Sequence, residues 1–231
     1  MLLRKVRQVD TQAQASISVV ITVYQRAELT MRSLHTVVHQ QYPCHEIVVL
    51  ADGHHPGLAD VVNEYGLHAG MAGRIHYAEH ACPRGTYGNP LRRLGLSVAT
   101  GSHVLFMGHD CLLLQNCLQV HASNLTQAKN GQALSVTALD HWIERNFDTT
   151  ARASGLPRHV GIIPQGEFRL SELTIGTVDL TCVVFPVATA RQVGIFREDW
   201  DMIYAADFLS IAACAGVLPV VSSSQVCGAH F

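Results

Sequence analysis

Ile17-Ser-Val-Val-Ile-Thr-Val-Tyr24 is an apolar run of strand length, rich in β-branched residues and without the in-out alternation of a half-exposed strand. Such a run predicts a central parallel strand buried on both faces. Working outward, Leu34, Val37 and Val38 recur at helical spacing within 29–41, and Tyr42-Pro43 stops that helix. Glu46-Ile-Val-Val-Leu50 reads as a second strand, closed by Ala51-Asp52-Gly53, and Leu58, Val61, Val62 and Tyr65 space out a second helix. Arg74–Ala78 reads as a third strand. Asn89-Pro90 opens a helix carried on by Leu91, Leu94 and Val98 and ended at Thr100-Gly101, and His103–Met107 is a fourth strand. Strand–helix alternation of this kind means an α/β fold with a mostly parallel sheet, whose ligands bind beyond the carboxyl ends of the strands. The tips that matter are therefore Thr22–Arg26, Ala51–His54 and Gly108–Cys111.

The second half reads less cleanly. A helix is expected over about 112–128 and a strand over 133–139. Residues 140–175 form a polar excursion over one face, of a length that commonly covers an acceptor site. Strands are expected over 178–186 and 217–221, with a helix over 206–215 between them. Residues 1–15 are expected to be a flexible lead-in to a single domain spanning 1–231.

Composition narrows the function. The chain of 231 residues is 48% hydrophobic and 15% charged, which excludes a disordered chain. A formal net charge of −2 supplies no basic field for nucleic acid. No run of 18 apolar residues predicts a transmembrane segment. The seven cysteines include no CxxC pair and read as reduced thiols, which suggests a cytoplasmic location. His54-His55 reads as a solvated loop pair rather than a zinc site. Neither GxGxxG nor GxxxxGK[ST] is present, which disfavours a dinucleotide Rossmann site and a P-loop.

Taken together, Ile17–Arg26, Gln41-Tyr-Pro43, Glu46–Gly53, Arg92–His103, Val104–Asp110, Val193–Phe196 and Ala205-Ala-Asp207 resemble, in order, the sequence blocks of family-2 glycosyltransferases with the GT-A fold. The resemblance is good over 17–128 and loose over 178–231. It implies a hexosyltransferase-type enzyme moving a sugar from a nucleotide-diphosphate donor, UDP- or GDP-linked, to a hydroxyl of a glycan or small-molecule acceptor. Inversion and assistance from a divalent cation, Mn²⁺ or Mg²⁺, are implied as well. Carried over by position, Thr22 and Tyr24 line the base, Asp52 accepts a hydrogen bond from the base, and Arg92 lies near the diphosphate. Asp110 ligates the cation, with His109 and His230 as further candidates, and Asp207 is the general base. Both Asp110 and Asp207 also suit the cap of a following helix.

The sequence departs from the family at Ala51, Gly108-His109 and Ala206, each of which replaces an acid, and at Arg93, which replaces an asparagine. These departures define the rival reading: a GT-A fold that binds a nucleotide sugar or a partner without turnover. A metal-dependent hydrolase or nucleotidyltransferase is a third reading, and it requires a second carboxylate cluster near His109. Trp142 and Trp200 are candidates for stacking on a sugar ring or for packing.

Overall fold

The computed structural model describes residues 14–81, 85–143, 158–197 and 205–231. Residues 1–13 of the expected lead-in, Cys82 and Trp200 lie outside them. β1 (Ile17–Val23), α1 (Thr30–Val38), β2 (Glu46–Asp52), α2 (Leu58–His68), β3 (Ile75–His80), α3 (Asn89–Val98) and β4 (His103–Gly108) follow the expected alternation. Every residue of β1 and of β2 is buried. β1 pairs in parallel with β2 on one side and with β4 on the other, and β2 pairs in parallel with β3.

Burial on both faces dictates the layers. Ile17, Val19, Ile21 and Val23 pack in one core with Leu34 and Val37 of α1 and Leu58 and Val62 of α2. Val20 packs in the other, with Leu91 and Leu96 of α3. α1 and α2 thus cover one face and α3 the other, so the winding reverses between β1 and β4. α3 approaches β1 closely because residue 95 is glycine: a Cβ there would lie 2.5 Å from Val20 Cγ1. Arg191 fixes the far end of α3 by donating to the carbonyls of Leu96, Ser97 and Ala99, groups left over at a helix C-terminus.

Beyond β4 come β5 (Cys111–Leu113), α4 (Cys117–Leu125), β6 (Leu134–Ile143), β7 (Arg158–Ile163), β8 (Val183–Pro186), α5 (Val187–Val193), α6 (Ala206–Ala215) and β9 (Val220–His230). The described strands form one sheet in the order β3-β2-β1-β4-β8-β6-β9-β5, with β7 on β6. β6 and β9 are parallel, and antiparallel pairing is confined to this half.

Four expectations are corrected here. Residues 111–113 are a strand paired with β9, and the helix expected from 112 starts at Cys117 after Asn116, so Asp110 caps no helix. The excursion over 140–175 is partly a ribbon, since β6 runs on to Ile143 and β7 pairs back on it; residues 144–157 lie outside the described ones. The strand expected over 178–186 starts at Val183, after a tight 3-10 turn over Leu180–Cys182. The last strand runs to His230 instead of ending at Val221: the register with β6 is interrupted across Ser223–Gln225, and pairing of Val226–His230 with β6 and of Gly228–His230 with β5 carries the strand on. Six of the seven cysteines are described, and all six are buried free thiols. No helix among the described residues is long and apolar enough to cross a membrane.

The close seat of α3 gives a direct test. Gly95→Ala gains up to about 1 kcal/mol of helix propensity but forces a methyl into Val20, a clash of about 1–3 kcal/mol. We expect net destabilisation in urea unfolding, and that cost should vanish when measured in a Val20→Ala background.

Candidate functional site

The reversal of winding between β1 and β4 opens a crevice at their carboxyl ends. Thr22 stands opposite Gly108 in the register, and the His109 N–H donates to the Thr22 carbonyl at 3.0 Å. The turn from β4 into β5 is tied to α1 by the Ser33 hydroxyl, 2.5 Å from the His109 carbonyl and 2.7 Å from that of Cys111. A cleft of about 610 Å³ lies here. All eight residues singled out from the sequence line it, although they come from six separate segments of the chain.

One end of the cleft is formed by Thr22, Tyr24 and Asp52. Asp52 is buried at the tip of β2, and one carboxylate oxygen accepts the Gly85 N–H at 2.8 Å. Tyr24 lies just past the end of β1 and is 45% exposed, so its ring is open to a ligand. Gly88 and Tyr87 of the loop entering α3 line the same end, both with positive φ. The close seat of α3 brings Arg92 in from the opposite face, where Nη1 is 3.1 Å from Asn89 Oδ1 and 3.8 Å from Asp207 Oδ1.

The other end is a string of charges. Asp110 Oδ2 accepts from Arg26 Nη2 at 3.0 Å, and Asp110 Oδ1 is 3.9 Å from His230 Nε2. His230 Nδ1 lies 3.1 Å from Asp179 Oδ2, and Asp179 Oδ1 accepts the Thr181 N–H at 2.8 Å. β9 fixes His230 by its register opposite Cys111 and His141, and the His141 ring stacks on it at 5.3 Å. Burial disfavours charge on His230, but the Asp179 hydrogen bond and the charges of Asp179, Asp110 and Asp207 outweigh it and lift the imidazole to about 9. Burial likewise works against charge on Asp179, and its bond to His230 prevails, holding the carboxyl well below the usual range. Burial raises Asp207 to about 6 against the pull of Arg92, with Asp179 adding repulsion.

Asp110, Cys111 and His230 are the one group of potential cation ligands found among the described residues, their ligand atoms lying within 4.8 Å of one another. Burial pushes the Cys111 thiol far up, and the carboxylate and the imidazole are the donors that a hard cation prefers. An imidazole whose far nitrogen is held by a carboxylate is a familiar cation ligand, and the pair fits Mn²⁺ better than Mg²⁺. His109 stands apart from this group. It is buried, burial lowers its pKa, and its Nε2 has no hydrogen-bond partner. Gly108 has its own packing reason, since a Cβ there would meet Asp110 Oδ1 at 2.4 Å. Asp207 sits in the first turn of α6 as an acid at a helix N-terminus.

Two site residues were not assigned a role from the sequence. Arg26 lay within an inspected strand tip. Asp179 carries a local signal only as an Asx turn before Leu180-Thr-Cys182, which says nothing of its partner 51 residues away. Elsewhere, His54 is exposed and pairs with Glu79, and Trp142 packs against Phe231 and His159 while donating to Asp140.

The fold and cleft have counterparts among known proteins. TarS from S. aureus, residues 1–349 in complex with UDP, superposes with a TM-score of 0.65 at 16% identity, over 93% of this chain and 60% of that one. TarS 1–349 with UDP-GlcNAc gives the same score and identity, over 93% and 58%. The mannosyltransferase PcManGT from Pyrobaculum calidifontis, in complex with GDP-Man and Mn²⁺, gives 0.61 at 20% identity, over 93% and 56%. The chain thus spans about 60% or less of these proteins' length, and at such identities the likeness is one of fold, here GT-A. No curated protein matches the chain by sequence. The family model described as "Glycosyl transferase family 2" matches residues 18–159, well over half of the chain, from the buried first strand through the Asp110 turn to the β6–β7 ribbon: the chain belongs to glycosyl transferase family 2.

Proposed function

We propose that this chain transfers a hexose from a UDP- or GDP-linked donor to a hydroxyl of a glycan or small-molecule acceptor, with inversion at the anomeric carbon. The observation that carries the reading is the convergence of Thr22, Tyr24, Asp52, Arg92, Asp110, His230 and Asp207 on one cleft of the GT-A fold. In this reading Thr22, Tyr24 and Asp52 hold the base, Asp52 accepting a ring N–H through its carboxylate. Arg92 neutralises diphosphate charge. Asp110 and His230 hold a divalent cation, Mn²⁺ in preference to Mg²⁺, and Asp179 orients His230. A cation bound there supplies Lewis-acid charge to the departing diphosphate.

Asp207 then removes the proton from the acceptor hydroxyl as that oxygen attacks the anomeric carbon and the bond to the diphosphate breaks. A single base with direct displacement inverts the centre. Its carboxyl, raised to about 6, is suited to accept a proton near neutral pH. Binding without turnover is the second reading. It is favoured by Gly108, which offers no carboxylate and has no room for one while Asp110 keeps its present place.

A calorimetric panel of UDP, GDP, UDP-GlcNAc and GDP-Man, with and without MnCl₂, tests donor binding. Asp52→Ala should weaken nucleotide binding by about 1.5–3 kcal/mol, the scale of a hydrogen bond to a charged group. Asp52→Asn, which retains an acceptor for Gly85, should lose less. Unchanged affinity in both variants would remove Asp52 from the base site.

With a turning-over donor and acceptor, the rate should rise with pH through about 6, because the ionised Asp207 is the active form. Asp207→Asn should slow transfer roughly 10²–10⁴-fold while leaving donor affinity in place. A wild-type protein that binds donor tightly yet transfers to no acceptor in a broad panel would establish the second reading instead.

A further inference from the structure

We infer that His35 and His39 form a second cation site, on the outer face of α1, which takes a late first-row divalent ion of the Zn²⁺, Ni²⁺ or Cu²⁺ class and clamps the last turn of that helix. The site is separate from the cleft, and the inference does not rest on the function proposed above. His35 lies in the last turn of α1 and His39 caps it four residues on. Residues so spaced stand one above the other on a helix, and two histidines at this spacing are a recurring grip on a transition metal. Both side chains are exposed, and their rings already lie together, with centroids 4.0 Å apart and planes 34° from parallel.

The hydrogen bonds behind the rings prepare them as ligands. His39 Nδ1 lies 2.9 Å from the His35 carbonyl oxygen. A carbonyl only accepts, so in the neutral ring Nδ1 carries the proton and Nε2 keeps the lone pair that a metal needs. His35 Nδ1 lies 2.8 Å from the Tyr65 hydroxyl of α2. A phenol accepts as well as donates, so it can hold the Nδ1 proton of His35 and leave that Nε2 bare too. An imidazole whose far N–H is held in this way is oriented and made more basic. The pair also stands at the C-terminal end of α1, where the last carbonyls favour a cation. Two imidazoles, unlike the carboxylate of Asp110, suit Zn²⁺, Ni²⁺ and Cu²⁺ and hold Mg²⁺ and Mn²⁺ weakly. With two side chains here against three around Asp110, water completes the coordination.

What the ion steadies follows from the opposite face of α1. Ser33 bonds the carbonyls of His109 and Cys111, and Thr36 Oγ1 accepts the Leu113 N–H. Gln40 donates to the Leu114 carbonyl and accepts the Leu118 N–H. The turn between β4 and β5 and the start of α4 are thus fastened to α1 and to the residue just past its cap. Helix ends fray, and an ion bridging residues 35 and 39 spans the turn where this one would.

Titration calorimetry with ZnCl₂, and thermal unfolding with and without it, would compare wild type, Asp110→Asn, His35→Ala, His39→Ala and Tyr65→Phe. Both histidines are exposed and alanine is the better helix former, so the variants should fold, and unchanged circular dichroism in EDTA checks that they do. Wild type and Asp110→Asn should share one Zn²⁺ site. Tyr65→Phe should weaken it by up to about 10-fold, the lower scale for loss of a group that orients a ligand, and either alanine variant by more. Zn²⁺ should raise the Tm of wild type and of neither alanine variant. With Cu²⁺ at one equivalent, electron paramagnetic resonance should show splitting from two imidazole nitrogens in wild type and Asp110→Asn, and from fewer in either alanine variant. Zn²⁺ affinity and Cu²⁺ spectra unchanged in His35→Ala or His39→Ala would assign the binding to other side chains and overturn the inference. So would Zn²⁺ binding that Asp110→Asn alone abolishes, or a wild type that binds no Zn²⁺.

Discussion

Burial of β1 on both faces is the constraint from which the rest of the molecule follows. An unbroken apolar strand needs a helical layer on each side, and a chain that winds only one way supplies only one. α1 and α2 therefore cover the Ile21 face and α3 the Val20 face. That reversal separates the loops leaving β1 and β4 and leaves the crevice between them. The glycine at 95 sets how near α3 comes, and with it how far Arg92 reaches toward Asp207. Packing on one face of a strand thus fixes a charge separation at its tip.

The C-terminal half solves a different problem. A parallel sheet ending at β4 leaves an edge, and an edge offers unpaired backbone groups. β8 pairs with β4, β6 with β8, and β9 with β6, and β9 then turns back to β5. This last pairing sets His230 opposite Cys111, next to Asp110. Covering the edge and bringing His230 beside Asp110 are one structural act, and His230 is held in a strand and stacked on His141.

How much of this the sequence discloses depends on where each element draws its stability. β1, β2, β4 and α1 to α3 are legible because burial writes itself into local pattern: buried strands as apolar runs, α3 as Asn89-Pro90 followed by spaced leucines. β5 is not, since Cys111-Leu-Leu113 flows into the apolar positions of α4 and is a strand only by virtue of β9. β9 is half-legible for the same reason, since distant partners pair the residues on either side of its polar centre, where the register is interrupted. Thr22, Asp52 and Asp110 stand at strand tips and are found by position. His230 comes from family resemblance alone, and Asp179 from neither, because its meaning resides in a partner 51 residues away.

The charges in the cleft alternate in sign along two lines, Arg92 to Asp207 and Arg26 to Asp110 to His230 to Asp179. Removing one member would leave a neighbour partly buried and unpaired, at a cost that exceeds what the pair contributes when intact. A site built this way cannot take up a single charge cheaply. A cation at Asp110 would compete with Arg26 for that carboxylate and with the proton of His230. With Gly108 and His109 where the family resemblance leads one to expect two acids, Asp110 and Asp179 are the carboxylates of this line, and each is already matched by a basic side chain of the protein itself.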